Sequence, residues 1–247
     1  MIVDELLERM APKAEGRTVS TVCVGLAYTA VCLEEGGCGL AYTFHEDAGE
    51  GCSVVKEAGT LAGRSAGELA RWVKTLDATS MALGVATLNA LVEPPAEARE
   101  ADVTELIRVS PTDVVGMVGY FAPLVGVLRE RAARLHIFER RPRDLAGEHP
   151  DWTAPVLLPE CDVVIISGAT VINRTIDALL AHATEAREIV ILGASTPLVP
   201  EVFAARGVTL LSGVQVRDVD RVLRVVSEGG GMRRFSDAVR KLSVRLR

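Results

Sequence analysis

Small, hydroxyl-bearing and acidic residues follow a series of short apolar runs in the second half of the chain. Gly116 and Gly119 would let a ligand approach the backbone where a helix begins with free N–H groups, a favourable position for an anion. Ser195 and Thr196 add hydroxyl donors, and Glu139 adds a carboxylate. The other residues that follow these apolar runs are Tyr120, Phe121, Gly168, Thr170, Asn173, Thr175 and Gly213. These residues predict a cleft for a small anionic ligand, although glycine also serves tight turns and Thr170 and Asn173 can cap a helix.

The runs that precede these residues have the pattern of strands alternating with helices. Five strands are predicted, in DVVGMVG, LHIFER, CDVVIISG, EIVILG and GVTLLSG. Such alternation implies parallel pairing through right-handed crossovers, and continuous apolar runs are typical of strands covered on both faces. Residues 106–247 are therefore predicted to form a Rossmann-like α/β domain with helices on both faces, which binds ligands at the carboxyl edge of its sheet. The tail RRFSDAVRKLSVRLR is predicted as an amphipathic helix.

Residues 1–105 have a different pattern, which predicts a smaller α+β domain. Residues 1–13 carry apolar side chains at helical spacing. Short, glycine-punctuated links join TVSTVCVG, YTAVCLE and CGLAYTFHE, and they favour an antiparallel meander. Two further helices are predicted in AGELARWVKT and SMALGVATLNALV.

The composition is that of a globular protein, with 49% hydrophobic and 24% charged residues. The chain has no long uncharged apolar run and starts with an acidic amphipathic segment, so we expect a cytoplasmic protein without a membrane span. The net charge of −6 disfavours general nucleic-acid binding, which depends on basic surfaces. A small molecule is the expected partner, and a homodimer is the default oligomeric state.

Direct metal binding without catalysis is one alternative. The residues that would supply ligands are His45, Glu46, Asp47, Cys38 and Glu139, with Cys52 as a further thiol. However, the cysteine positions 23, 32, 38, 52 and 161 match no zinc ribbon or knuckle. Disulfides are not expected, because the cysteine count is odd and the compartment is expected to be reducing.

An enzyme that uses NAD or S-adenosylmethionine is another alternative. The distance from Gly116 to Glu139 resembles that between a dinucleotide-binding glycine loop and the acid that binds the ribose. However, GMVGYF lacks the third small residue of GxGxxG and places Tyr120 and Phe121 where a helix would approach the sheet. The sequence contains no Ser-His-Asp order, P-loop or HExxH, so it identifies no catalytic residue.

The chain resembles a known family over nearly its whole length. The pattern of the family called putative heavy-metal chelation is followed by VVGMVGYFAPLV, IFER, CDVVIISGATVINRTIDALL, ILGASTPLVP, LLSGVQV and the GGG at 229–231. The first half, with VGLAYTAV, AGTLAG, ELARW and ALGVATLNAL, resembles the domain that accompanies this family. That companion has an enolase-N-terminal-like fold.

The resemblance implies an active site in the cleft between the two domains, for a heavy-metal ion or a metal-chelating small molecule. By position, the implied cleft residues are the strand-end residues named above together with Tyr28 and Thr29 of the first half. Because the sequence shows no obvious thiolate cluster, chelation through a bound small molecule fits the cleft better than direct capture by cysteine.

Overall fold

The computed structural model describes residues 1–49, 53–143 and 146–246, which form a mixture of helices and strands. The helices are α1 (Ile2–Ala14), α2 (Ala66–Ala70), α3 (Ala78–Leu91), α4 (Val103–Leu106), α5 (Ala122–Arg131), α6 (Ala154–Leu157), α7 (Ile176–His182), α8 (Pro200–Ala204) and α9 (Val219–Ser227). The strands are β1 (Val19–Val24), β2 (Tyr28–Leu33), β3 (Cys38–Tyr42), β4 (Arg99–Glu100), β5 (Val114–Val118), β6 (Arg134–Glu139), β7 (Glu148–Pro150), β8 (Val163–Ser167), β9 (Glu188–Leu192), β10 (Leu210–Val216) and β11 (Val239–Arg245). We refer to α1 through α3 as the N-terminal region and to β4 through β11 as the C-terminal region.

The C-terminal region is built on one sheet with the order β4-β11-β10-β9-β8-β5-β6-β7. Strands β5 to β10 are parallel to one another, whereas β11 runs antiparallel to β10 and β4 runs antiparallel to β11. The parallel order β7-β6-β5-β8-β9-β10 is that of a doubly wound Rossmann fold, in which the order reverses between β5 and β8. The predicted fold class is confirmed, and the reversal fixes where a ligand crevice is expected.

The tail forms strand β11, so the predicted terminal helix is wrong. Strand β11 pairs with β10 along its whole length, from Leu210 opposite Arg245 to Val216 opposite Val239. Its apolar residues Val239 and Leu242 have a spacing that suits a helix, but Leu242 and Val244 are both buried at the spacing of a strand. Covering the edge of β10 satisfies a row of backbone groups that a terminal helix would leave unpaired.

The N-terminal region is an antiparallel meander, β1-β2-β3, packed against the long helix α3. The meander and the helices at both ends of the region agree with the prediction. Gly39 permits the close approach of α3, because a Cβ at this position would lie 2.1 Å from the carbonyl oxygen of Ala86. The side chain of Asp77 caps α3 by accepting a hydrogen bond from the Ser80 N–H at 2.7 Å.

Cys32 and Cys38 form a disulfide, which corrects the expectation that the cysteines stay unpaired. The two residues lie directly opposite each other on β2 and β3. An odd number of cysteines does not show which residues of β2 and β3 lie opposite each other. The pairing of Cys32 with Cys38 therefore could not be predicted from the cysteine count. Cys52 lies outside the described residues.

The two regions share one continuous apolar core. It joins α1 and α3 to residues of α7 and α8 that cover one face of the large sheet, while α5 covers the other face. Polar contacts add to this packing: the Ile2 N–H donates to Asp177 at 3.1 Å, and Arg206 pairs with Glu5. No helix in the described part of the chain combines the length and apolarity that a membrane crossing requires.

Candidate functional site

The ring of Phe121 covers the point where the strand order of the sheet reverses. Gly119 follows β5 with φ +91° and Gly193 follows β9 with φ +116°. A Cβ at Gly119 would lie 3.7 Å from Phe121 Cε2, and one at Gly193 would lie 3.8 Å from Phe121 Cε1. The ring therefore lies at the N-terminus of α5, where the phosphates of a dinucleotide would bind. This arrangement disfavours the dinucleotide alternative.

Glu139 lies beside this point, at the carboxyl end of β6. Its Oε1 accepts a hydrogen bond from the Tyr120 N–H at 2.5 Å, so the strand-end loop holds the carboxylate in place. Burial raises the pKa of Glu139, while the Tyr120 N–H and the positive charge of Arg143 act in the opposite direction. Among the residues that the structure describes, no arginine or lysine forms an ion pair with this carboxylate. Glu139 is therefore a half-buried carboxylate without a counter-charge of its own.

The N-terminal region reaches this edge of the sheet through Tyr42, the last residue of β3. The Tyr42 N–H donates to Ser195 Oγ at 2.8 Å, which ties β3 to the loop after β9. Burial raises the pKa of the Tyr42 phenol, and the negative charges of Glu46 and Glu139 raise it further. The effect of the Glu139 charge on this phenol agrees with the Ser195 contact in placing Tyr42 near the same edge of the sheet as Glu139.

Two ion pairs bridge the regions at this edge of the sheet. Arg140 binds both carboxylate oxygens of Asp47, at 2.5 and 3.0 Å, and its guanidinium lies 5.5 Å from the centre of the Phe44 ring. Arg141 pairs with Glu46 at 2.5 Å. A third arginine, Arg143, pairs with Glu148 at 3.6 Å and lies 3.8 Å above the ring of Tyr120. These arginines are therefore neutralised by other carboxylates than Glu139.

The remaining strand-end glycines are explained by packing within the protein. Gly116 lies inside β5 and Gly213 inside β10, not at the strand ends where the sequence pattern places them. A Cβ at Gly116 would lie 2.9 Å from Cys161 Sγ, and one at Gly213 would lie 2.9 Å from the carbonyl oxygen of Thr196. Gly168 does follow β8, but there the backbone nitrogen of Thr196 would lie 2.6 Å from a Cβ.

Most of the predicted hydroxyl and amide groups bind one another or the local backbone. Thr170 Oγ1 donates to the Ser167 carbonyl at 2.7 Å, and Asn173 Oδ1 accepts from the Thr175 hydroxyl at 2.7 Å. Thr29 Oγ1 lies 2.9 Å from Thr43 Oγ1 in the interior. These contacts favour the structural alternative considered for Thr170 and Asn173. Thr196 Oγ1 is different, because it is buried and has no hydrogen-bond partner in the described part of the chain.

The predicted cleft residue Tyr28 is largely buried and packs against other aromatic rings. Its ring contacts Phe235 edge-on at 5.4 Å and Tyr42 at 6.1 Å, and burial raises the pKa of its phenol to about 12. Of the predicted residues, the structure brings Gly119, Tyr120, Phe121 and Glu139 together, with Ser195 bound to the facing strand. Tyr42, which is the register partner of Tyr28, was not predicted from the sequence.

The residues proposed for direct metal binding do not form a ligand set. Glu46 and Asp47 are engaged by arginines, and Cys38 is bonded to Cys32. Within residues 1–49, 53–143 and 146–246, no group of three or more His, Cys, Asp or Glu side chains is arranged to hold a metal ion. The protein side chains described here would thus need additional ligands to complete a coordination shell.

Comparisons with known proteins match nearly the whole chain. A family model described as putative heavy-metal chelation matches residues 102–245, and a second model with the same description matches residues 7–92. An uncharacterised protein of Methanocaldococcus jannaschii is 29% identical over 99% of this chain and 98% of its own length.

Two solved structures share the whole fold. One is a protein of unknown function from the DUF364 family of Pyrococcus horikoshii, with a TM-score of 0.86, 26% identity, and coverage of 99% of this chain and 100% of that one. The other is a protein of unknown function from the same family in Desulfitobacterium hafniense, with a TM-score of 0.77, 24% identity and 98% coverage of both chains.

Proposed function

We propose that this chain, which belongs to the family described as putative heavy-metal chelation, binds a small anionic chelator together with its metal ion. The binding place is the cleft between Glu139 and Tyr42. The observation that carries the proposal is the half-buried Glu139 carboxylate, which has no ion-pair partner in the described residues, although the next two residues, Arg140 and Arg141, both pair with carboxylates of the N-terminal region.

The negative charge of Glu139 favours an anion that is bound to a metal ion over a free anion. An anion next to this carboxylate would meet a like charge, because the nearby arginines are paired with Asp47, Glu46 and Glu148. A cation at the same place would compensate a carboxylate that burial disfavours. A chelator that carries a metal ion satisfies both requirements: its ion meets Glu139 and its own anionic groups are neutralised by the ion.

The coordination chemistry favours a chelator over a bare ion. Glu139 offers one carboxylate, and the described residues include no set of three protein ligands. Metal ions in proteins usually hold about four to six ligands, so the remaining positions must come from a bound molecule or from water. In this proposal the Tyr42 hydroxyl, from the N-terminal region, donates a hydrogen bond to an oxygen of such a molecule.

Native mass spectrometry tests the proposal, because it detects a bound chelator of any structure by its mass. The purified protein is incubated with the small-molecule fraction of a cell extract supplemented with Ni²⁺ and Zn²⁺, and is then desalted. We expect the wild-type chain to retain a metal ion and an organic mass together. Glu139→Gln should retain neither, whereas Glu201→Gln, an equal charge change at an exposed position of α8, should behave as wild type.

Two outcomes would contradict the proposal. One is a wild-type chain that retains no combined metal and organic mass. The other is equal retention by wild type and Glu139→Gln, which would place the binding elsewhere. Tyr42→Phe keeps the backbone bond to Ser195 and removes only the phenol oxygen, so it measures the contribution of the opposite wall.

A further inference from the structure

The Cys32–Cys38 pair places two sulfur atoms together at the boundary between the regions. The two residues are direct partners across β2 and β3, with Cα atoms 4.0 Å apart. Side chains alternate along a strand, so Cys32 shares the face of Ala30, and Cys38 shares the face of Leu40. Ala30 and Leu40 pack against α9 and Phe235, which identifies this face as the one turned to the C-terminal region.

A pocket of about 150 Å³ opens next to Cys38. It is lined by residues of both regions, among them Cys38, Asn89, Thr196, Leu198 and Gln215. The amide nitrogen of Asn89 donates to the Leu40 carbonyl at 2.8 Å, and its Oδ1 is buried without a partner in the described residues. Cys32 is almost fully buried, whereas Cys38 is partly exposed and borders the pocket, so reagents can reach the pair from this side.

We infer that Cys32 and Cys38, when reduced, form a dithiol site for a thiophilic ion, with trivalent arsenic as the best fit. Soft thiolate ligands select soft ions, and two thiolates on adjacent strands can bind one ion at the same time. Trivalent arsenic needs three ligands, so two sulfurs and one hydroxide complete its shell. This site does not depend on Glu139 or on the chelator proposed above.

Arsenite binds to the pair in two steps, reduction of the disulfide and condensation with the thiols. A water-soluble phosphine and one water molecule reduce the disulfide to two thiols, and the phosphine becomes its oxide. Arsenite, As(OH)₃, then reacts with the two thiols to give one As–OH group held by two As–S bonds, with release of two water molecules. The disulfide form has no thiol to react, so the oxidation state of the pair decides whether the ion binds.

Phenylarsine oxide is the probe for the pair, because one molecule consumes two neighbouring thiols and releases one water. The full chain is reduced with the phosphine, freed of it and treated with the probe, and the intact mass is then measured. We expect one phenylarsenic adduct per reduced chain, and none on the oxidised chain. Cys32→Ser and Cys38→Ser should each lose the adduct, while Cys23→Ser, a change of a cysteine on β1, should keep it.

A second variant and a second measurement keep the test decisive. A chain with Cys23→Ser, Cys52→Ser and Cys161→Ala retains only the proposed pair and should still bind one equivalent. For inorganic arsenite, loss of either thiol should weaken binding about 100-fold or more, because the second bond becomes intermolecular. Circular dichroism confirms that each variant is folded.

The inference is overturned by any of three results: no adduct on the reduced wild type, equal modification of the oxidised chain, or full binding by Cys38→Ser. Cys38 is the more exposed partner, so its replacement by serine perturbs the core less than that of Cys32.

Discussion

Replacing Gly168 with alanine tests whether the small residues at the strand ends serve packing or ligand access. A Cβ at this position would lie 2.5 Å from Thr196 Oγ1, 2.6 Å from its backbone nitrogen and 2.9 Å from its Cα. Two of these atoms belong to the backbone, so a side-chain rotation cannot relieve the contact. The loop after β9 must move, and overpacking of this kind destabilises by roughly 1–3 kcal/mol.

The same substitution at an open position provides the control. Gly126 lies within α5, and a Cβ there would meet nothing within 4 Å. Gly126→Ala should therefore stabilise the protein by about 0.5–1 kcal/mol, since alanine is the better helix former. Urea unfolding followed by circular dichroism gives both values, and the melting temperature of Gly168→Ala should fall by about 2–12 °C.

The result that would refute this reasoning is a Gly168→Ala protein as stable as wild type. Gly168 would then be free to carry a side chain, and its presence at the strand end would need a ligand to explain it. Destabilisation with chelator retention unchanged in the folded protein would instead support packing alone.

Charged groups near Glu139 and the buried thiol of Cys161 lead to three further predictions. Burial raises the pKa of Glu139, so the folded state holds this proton more tightly than the unfolded chain does. The resulting stability is complete below the unfolded pKa and is lost as pH rises through the folded pKa. The unfolding free energy of wild type relative to Glu139→Gln should thus fall as the pH rises above the ordinary glutamate pKa of about 4 in urea titrations, and a rise would contradict the burial argument. Arg140→Ala should destabilise more than Arg141→Ala, because Arg140 binds both oxygens of Asp47, yet each effect should stay below about 1 kcal/mol and shrink at about 1 M salt. Burial raises the pKa of Cys161 to about 12, so iodoacetamide at neutral pH should label this thiol only after unfolding, as peptide mass mapping would show; rapid labelling of the native chain would disprove its burial.

The sequence predicts the helices and strands well where a hydrophobic pattern extends over many residues. The long apolar runs indicate the parallel strands, and their alternation with helices indicates the order of layers. The strand ends are harder to locate, because the pattern places Gly116 and Gly213 after a strand although both lie inside one. A glycine within a strand marks close approach of a neighbour, here Cys161 and the backbone of Thr196, and sequence alone does not distinguish this case from a turn.

The strand pattern of the sequence locates the residues of the candidate site only in the C-terminal region. Glu139, Gly119 and Ser195 each follow an apolar run, so the rule for parallel sheets locates them. Tyr42 is bound to Ser195 across 153 residues of sequence, and no local pattern carries that contact. The predicted residue Tyr28 lies directly opposite Tyr42 in the meander. A correct prediction of this strand pairing would therefore have pointed to Tyr42, which contacts Ser195 in the loop after β9.

The carboxyl edge of the sheet serves two purposes that compete for the same space. Thr196 packs on Gly168 and Gly213, so the loop after β9 fills the space beside β8 and β10, and Ser195 of the same loop binds β3 of the N-terminal region. Among the described residues, the ends of β5 and β6 keep a carboxylate that no ion pair neutralises. The hydrogen bond from the Tyr42 N–H to Ser195 holds β3 at this edge of the sheet, so weakening it should open the proposed cleft even though Ser195 is not among the proposed ligand contacts. Ser195→Ala removes the acceptor of the Tyr42 N–H and leaves Glu139 unchanged. It should therefore weaken chelator retention while the tyrosine and the carboxylate are both still present, which a site formed by Glu139 alone would not do.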